Sequence, residues 1–258
     1  MPIPHGYTET LHAAQDRLAV EAGWTSFSEH AHQHRVLPDG RCDIILHFKW
    51  DDAKSLGPIS VRITGSATRF HIVSVTANTG FVAVRLRPGT AKRILGIHLK
   101  EIANGGFGGD DALTRIPSLA RLCDPAQNVD ELRNRLDTFV ADRSRDMKID
   151  PLTADLIDTL HTTGGRLAIS DIATVCGINV RSAHRRIVDA TGLTPKQMAM
   201  VIQFHRALHM LIDQKLDIAS VAFEAGYADQ PHMTRAFRQM GGFSPAQIPS
   251  LVLAGLPG

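Results

Sequence analysis

Two stretches of the chain carry the same pattern of residues. They read SVAFEAGYADQPHMTRAFRQMGGFSPAQ at Ser220–Gln247 and SDIATVCGINVRSAHRRIVDATGLTPKQ at Ser170–Gln197. Aligned at Gly177 and Gly226, the copies keep an offset of 49 residues upstream and of 50 downstream, because the second copy has one extra residue in its turn. This repeated unit decides the fold of the C-terminal half.

Each copy predicts a helix-turn-helix unit. Gly177 and Gly226 can adopt the positive φ that ends a first short helix and begins a turn. Asn179 and Asp229 follow at the place where a side chain can cap the second helix, by accepting its free amide hydrogens. The first helices are predicted at 171–176 and 221–225.

The second helix of each copy has an apolar side and a polar side. Its inward pairs, four residues apart, are Ala183 with Ile187 and Met233 with Phe237. The outward residues suit the DNA major groove, since Arg donates two hydrogen bonds to guanine, Gln pairs with adenine, and Ser, Thr and His add adaptable contacts. The candidate DNA-binding residues are Arg181, Ser182, His184 and Arg185 in the first copy and Gln230, His232, Thr234 and Arg235 in the second.

The competing interpretation is a pair of structural helical hairpins with solvated polar faces. A single such unit would not decide between the two. Both copies, however, share the turn glycine, the cap, the inward apolar pair and an outward arginine, and this agreement favours DNA recognition.

The chain from about residue 35 to residue 88 favours β-strands. Short runs rich in Val, Ile and Phe are separated by the turn sequences LPDG, SLGP, ANTG and RPGT. The predicted strands are Cys42–Phe48, Ile59–Gly65, Phe70–Ala77 and Phe81–Pro88. This half is predicted to be a sandwich or a barrel, followed by a short helix in GTAKRILG and a loop in NGGFGGDD.

Helical spacing takes over after Pro117, and Val129–Arg145 is predicted as a helix. Pro151 is placed to open the next helix after the linker MKIDP. The sequence therefore predicts an α+β fold in three parts. These are a β-rich ligand-sensing domain at 1–115, a helical linker that could serve dimerisation at 116–149, and an all-α DNA-binding domain at 150–258.

Bulk composition places the chain among ordinary globular proteins, with 43% hydrophobic and 21% charged residues in a length of 258. No run approaches the roughly 18 apolar residues of a membrane-spanning helix, and MPIPHGYTET does not resemble a secretion signal. The 3 scattered cysteines fit a reducing compartment. We expect a soluble cytoplasmic protein. Its net charge of +2 gives no argument for nucleic-acid binding, which depends on where the charges lie.

The stretch from about Leu167 to Gln247 resembles the DNA-binding domain of AraC/XylS-type transcriptional regulators. The motifs that carry the resemblance are SDIATVCGIN, RRIVDATGLTPKQ, VAFEAGYADQPHMTRAF and GGFSPAQ, joined by MAMVIQFHRALHMLID. The first copy departs from the pattern where Ala183 and Ile187 replace bulkier Leu and Phe. The resemblance implies a linking helix at Met198–Asp213 and two recognition helices, at about 180–190 and 230–240, entering successive major grooves roughly 34 Å apart.

The N-terminal half resembles the sensor domain of a subset of these regulators, whose signature contains PDGC. The matching stretches are VLPDGRCDIILHF, ITGSATRF and GFVAVRLRPGTAKRILGI. Arg41 takes the place of the signature cysteine, and Cys42 follows one residue later. The match does not imply a particular ligand.

A metal-dependent, cupin-like enzyme in the N-terminal half, with the helical half as an accessory domain, is the alternative from another class. His30, His32 and His34 alternate, so an extended strand would project all three from one face toward a Zn, Ni or Cu ion. No glutamate follows them at cupin spacing, and solvated or hydrogen-bonded histidines are commoner. We therefore predict no metal site and no cofactor.

No catalytic arrangement stands out elsewhere. Cys42 beside Arg41 could be a reactive thiol, but its place in a strand favours a buried small residue. NGGFGGDD lacks the Lys-Ser/Thr ending of a phosphate-binding loop. The predicted function is sequence-specific regulation of transcription without enzyme activity. The predicted partner is double-stranded DNA, and a small-molecule effector and a homodimer are left open, as is the choice between activator and repressor.

Overall fold

A computed structural model describes residues 6–12, 18–51, 55–213 and 216–248. Its strands all pair antiparallel. The strands are β1 (Gly6–Leu11), β2 (Val20–Ser28), β3 (His32–Val36), β4 (Cys42–Lys49), β5 (Ser60–Thr64), β6 (His71–Val75), β7 (Thr79–Leu86) and β8 (Gly106–Gly108). Six form one sheet in the order β1-β2-β7-β4-β5-β8, and β3 pairs with β6 in a separate ribbon.

Helices follow the strands along the chain. The α-helices are α1 (Ala91–Leu95), α2 (Asp110–Arg115), α3 (Val129–Ser144), α4 (Pro151–Thr162), α5 (Ile169–Val175), α6 (Val180–Thr191), α7 (Pro195–Asp213), α8 (Ile218–Glu224) and α9 (Gln230–Met240). Two 3-10 helices lie at Leu99–Ile102 and Pro117–Cys123. Among the described residues, no helix combines the length and the apolar character needed to cross a membrane.

The predicted α+β class, a β-rich N-terminal part and a helical C-terminal part, is confirmed. Within the described residues the large sheet is open, because β1 and β8 lie at opposite ends of the strand order. The prediction of a plain loop in NGGFGGDD is wrong. Gly106–Gly108 pairs with β5, and at Gly106 an added Cβ would meet the Ile63 carbonyl oxygen at 2.1 Å, so the glycines allow a strand approach that other residues would block.

The N-terminal core lies between the large sheet and the helices from α1 to α3. Ile44, Leu46 and Phe48 point inward from β4 at 0–1% exposure, and Leu132 and Leu136 of α3 are fully buried in the same cluster. The apolar residues of the predicted 116–149 segment thus belong to the core of the sheet. The predicted domain boundaries themselves stay a prediction.

Cys42 belongs to this core, as the sequence favours. Its side chain is buried, and burial raises the pKa of the thiol, with the nearby carboxylates of Asp43 and Asp39 adding to the effect. The thiol is therefore not a reactive one.

The C-terminal core is built around α7. Phe204 of α7 is fully buried, and its ring lies 4.9 Å from that of Phe237 in α9 and 6.4 Å from that of Phe243. Met198 and Leu208 of α7 are fully buried in the same cluster. The linking helix therefore carries much of the core that holds the two repeated units in place.

Candidate nucleic-acid interface

The two repeated units have the turn geometry that their sequences predict. Gly177 and Gly226 have φ of +66° and +88°, which favours glycine. The Asn179 side chain accepts a hydrogen bond from the Ser182 amide at 2.8 Å, and the Asp229 side chain accepts one from the His232 amide at 2.6 Å. Each cap fixes the residue at which the second helix of a unit begins.

The predicted inward pairs are buried. Ala183, Ile187, Met233 and Phe237 all have 0% exposure. The smaller pair in the first unit is therefore accommodated in the core. Burying this side of each helix fixes which side faces outward.

In α6 the predicted contact residues line the outer face. Arg181, His184 and Arg185 are exposed, while Ser182 is half-buried next to the capped end. Within the described residues, neither arginine pairs with a carboxylate. Arg186, which sequence reasoning did not single out, is half-buried and forms an ion pair with Asp150.

In α9 the outer face is more mixed. Gln230, His232 and Arg235 are exposed, and Thr234 is half-buried. The Thr234 hydroxyl donates to the Gln230 carbonyl at 2.9 Å, and the His232 ring packs edge-on against Tyr227 at 5.3 Å. Of these four side chains, those of Gln230 and Arg235 are thus the most accessible to a ligand.

The C-terminal end of α6 rests on the N-terminal half. The Gly89 amide donates to the Ala190 carbonyl at 3.1 Å, and Lys92 lies 3.7 Å from the Asp189 carboxylate. At Gly192 an added Cβ would meet the Leu99 carbonyl oxygen at 2.7 Å. Since Gly192 also has a φ of +78°, this close approach is possible only with glycine.

The C-terminal end of α9 is held in the same way. The Phe70 amide donates to the Met240 carbonyl at 2.7 Å, and the Arg35 guanidinium donates to the Gly241 carbonyl at 2.6 Å. The same guanidinium lies 4.6 Å from the centre of the Phe70 ring and 6.0 Å from that of Phe243. These donors satisfy carbonyls that a helix leaves unpaired at its end.

A third contact joins the PDG turn to the linking helix. His205 Nε2 lies 2.5 Å from the Pro38 carbonyl oxygen. Gly40 has a φ of +68°, and a Cβ there would meet the Met198 sulfur at 2.9 Å. Sequence reasoning missed these contact residues, although the PDG motif marked the turn that makes this one.

The three histidines do not come together as a metal site. The strand β3 begins at His32, so His30 lies outside it, and the rings of His32 and His34 are 6.3 Å apart. His32 Nδ1 lies 3.0 Å from the Ser28 hydroxyl. Burial, followed by repulsion from neighbouring histidines, lowers the pKa of His34. Among the described residues, no group of three His, Cys, Asp or Glu side chains is arranged to hold a metal ion.

Comparison with known families explains the repeated unit. Residues 172–249 match the family described as "Helix-turn-helix domain". The matched residues contain the second helix of each repeated unit, α6 and α9. Residues 17–107 match a second family, described as "Domain of unknown function (DUF6597)".

Curated relatives match part of the chain. The transcriptional activator RhaS of Escherichia fergusonii is 30% identical over 107 residues, which are 42% of this chain and 37% of that protein. RhaS of Klebsiella pneumoniae is 28% identical over 78 residues, 30% of this chain and 28% of that protein. The chain therefore spans about a third of the length of the curated relatives that it matches.

Solved structures match more distantly. ToxT of Vibrio cholerae, solved with an unsaturated fatty acid bound, is 12% identical with a TM-score of 0.47, over 99% of this chain and 98% of that one. A regulator with an AraC-type DNA-binding domain from Chromobacterium violaceum is 19% identical with a TM-score of 0.37, over 42% of this chain and 96% of that one.

Proposed function

We propose that this protein is a sequence-specific transcriptional regulator that reads two successive major grooves with α6 and α9. The observation that carries the proposal is the duplicated unit, in which each recognition helix is capped at its start and has an exposed arginine that no carboxylate of the described residues neutralises. Exposed arginines on a helix of this kind suit bidentate contacts to guanine. The proposed role needs no cofactor and no catalysis, and it places the protein in the cytoplasm.

The direct test selects bound sequences from a random duplex pool with the full-length protein at a stated salt concentration. We expect two short motifs about ten base pairs apart, because successive major grooves on one face recur at that interval. Recovery of one motif alone would mean that only one helix-turn-helix unit recognises DNA bases. Recovery of nothing above background, with and without candidate effectors, would refute the proposal.

The contact residues are tested on the selected site. Arg185→Ala and Arg235→Ala should each weaken binding by about 1–3 kcal/mol and relax the preference at one base pair. Arg121→Ala is the matched control, since Arg121 is an exposed arginine of the N-terminal half. Equal losses on selected and random DNA would reassign the two arginines to phosphate contacts.

The second part of the proposal is that the N-terminal half is a sensor domain of the PDGC-type subset of these regulators. It is supported by the PDG turn, which meets the linking helix through Pro38 and Gly40. Arg41, at the place of the signature cysteine, forms an ion pair with Glu21 at 2.6 Å. An effector that moved this turn would act directly on the helix that separates the two units.

A homodimer through residues 117–148 also stays a proposal. Helix α3 buries Leu132, Leu136 and Val140 in the N-terminal core. A dimer contact would therefore use the polar face of α3, which begins after Arg121. Sedimentation of the free and the DNA-bound protein would show whether two copies assemble.

A further inference from the structure

A cleft of about 740 Å³ lies beside the second recognition helix. It is bounded by Arg166, which precedes α5, by Arg206 of α7, and by Tyr227 in the turn of the second unit. His232, in the first turn of α9, also lines the cleft. The cleft therefore opens next to the end of α9 that is predicted to face DNA.

Two hydrogen-bond donors in this cleft have no partner. The Nε of Arg206 and the hydroxyl of Tyr227 are both buried, and neither makes a hydrogen bond in the described part of the chain. Tyr227 as a whole is only 6% exposed. Leaving a buried donor unpaired is unfavourable, so this pair points to an acceptor that is supplied from outside the chain.

The chemistry of the two donors defines that acceptor. A guanidinium can only donate hydrogen bonds. Burial raises the pKa of Tyr227, so its hydroxyl keeps its proton near neutral pH. Two donors on the lining of one cleft, one of them charged, suit an oxyanion.

The surrounding charge favours the same ligand. Arg166 donates through Nε to the Thr163 carbonyl at 3.3 Å and pairs with no carboxylate of the described residues. Glu224 also borders the cleft, so two arginines face a single carboxylate. The N-terminus of α9 adds the partial positive charge of a helix start.

We propose that the cleft binds a phosphate of the DNA backbone, at the edge of the major groove that α9 reads, through Arg206, Tyr227 and Arg166. This inference rests on the proposed function. A free anionic metabolite shares the chemistry of a phosphodiester, but the position beside the recognition helix assigns the site to DNA. Such a contact fixes the register of α9 without reading a base.

The test compares full-length Arg206→Gln, Tyr227→Phe and the control Arg121→Gln with the unaltered protein. Affinity for the selected site and for a random duplex is measured over a series of salt concentrations. Arg206→Gln should make the negative slope of log K against log salt less steep by about 1. It should weaken binding to both duplexes by a similar factor. Arg121→Gln should leave the slope unchanged.

Tyr227→Phe keeps the test valid even if Arg206→Gln perturbs folding. The variant removes a hydroxyl that has no partner in the free protein, so its melting temperature should stay the same or rise. Its affinity for both duplexes should nevertheless fall by about tenfold, through loss of a hydrogen bond to a charged group. Opposite effects on stability and binding are not expected of a merely structural tyrosine.

Other outcomes separate the possibilities. If Arg185→Ala weakens binding while Arg206→Gln and Tyr227→Phe keep the full affinity and slope, the cleft is not a phosphate site and the proposed function stands. If both variants bind DNA normally but lose a thermal stabilisation that inorganic phosphate gives the unaltered protein, the ligand is a free anion and the assignment to DNA is wrong. If the unaltered protein binds no duplex, the proposed function fails first.

Discussion

The contact between Arg35 and the end of α9 leads to a quantitative prediction about how the two halves of the chain are coupled. In Arg35→Gln, the 2.6 Å hydrogen bond to the Gly241 carbonyl and the stacking of the guanidinium on Phe70 at 4.6 Å are lost. A hydrogen bond from a charged donor contributes about 1.5–3 kcal/mol, and a cation–π contact at a partly exposed site about 0.5–1 kcal/mol. Allowing for residual bonding by glutamine, we expect a loss of about 2–3 kcal/mol.

The distribution of tryptophans makes this loss measurable in each half separately. Trp24 and Trp50, the only 2 tryptophans of the sequence, both lie in the N-terminal half. Their fluorescence reports the unfolding of that half, whereas far-ultraviolet circular dichroism is dominated by the helices. With a urea dependence of about 2 kcal/mol per molar, the dichroism midpoint should fall by about 1 M in Arg35→Gln, and the fluorescence midpoint should move less.

Two further variants test whether this contact couples the two halves. Arg35→Lys keeps the charge but lacks the planar fork, so it should recover only part of the loss. Arg121→Gln should shift neither midpoint. If Arg35→Gln behaves like Arg121→Gln in both signals, the contact does not couple the two halves of the chain.

Three further predictions concern the C-terminal domain. Asp229→Ala removes the cap on the His232 amide and should lower the stability of the domain by about 1 kcal/mol in urea unfolding, whereas Asp229→Asn should keep most of it. Phe237→Ala should cost about 3–5 kcal/mol, since the ring is fully buried, and a loss below 1 kcal/mol would show that the core is not packed as described. Burial lowers the pKa of His205 in the folded protein. As the pH falls below about 6.5, this histidine is therefore protonated in the unfolded chain before it is protonated in the folded one. The stability of the fold should then fall by up to about 1.4 kcal/mol per pH unit. His205→Gln should weaken this pH dependence between pH 7 and 5.5, and an unchanged dependence would assign it to other groups.

The helix-turn-helix units could be predicted closely because their determinants are local. Gly177 and Asn179 act within a few residues of their own position, and the structure has the positive φ and the cap where the sequence predicts them. The inward pair Met233 and Phe237 follows from helical spacing alone. The predicted start of the linking helix at Met198 is three residues late, because Pro195 opens α7.

The N-terminal strands were predicted less completely because their pairing is not local. β1 and β2 were missed, since VEAGWTSFS mixes small and polar residues and its burial depends on pairing with β7, more than fifty residues away. β8 was read as a loop because three residues with two glycines give no strand signal. Contacts such as that of Arg35 with Gly241, separated by 206 residues, have no signature in a single sequence.

The contacts at the ends of α6 and α9 give the two halves distinct tasks. A helix leaves carbonyls unpaired at its C-terminal end and amides unpaired at its N-terminal end. The N-terminal half of the chain supplies donors to the carbonyl ends of α6 and α9, through the amides of Gly89 and Phe70 and the guanidinium of Arg35. The opposite ends are capped by Asn179 and Asp229 but stay open to solvent. The end of α9 is held by the β3–β6 ribbon, and the end of α6 is held by the segment that follows β7 of the large sheet. A shift of the ribbon relative to the large sheet would therefore change the spacing of α6 and α9. Coupling of this kind needs no long pathway through the core, since the N-terminal half touches both helices directly.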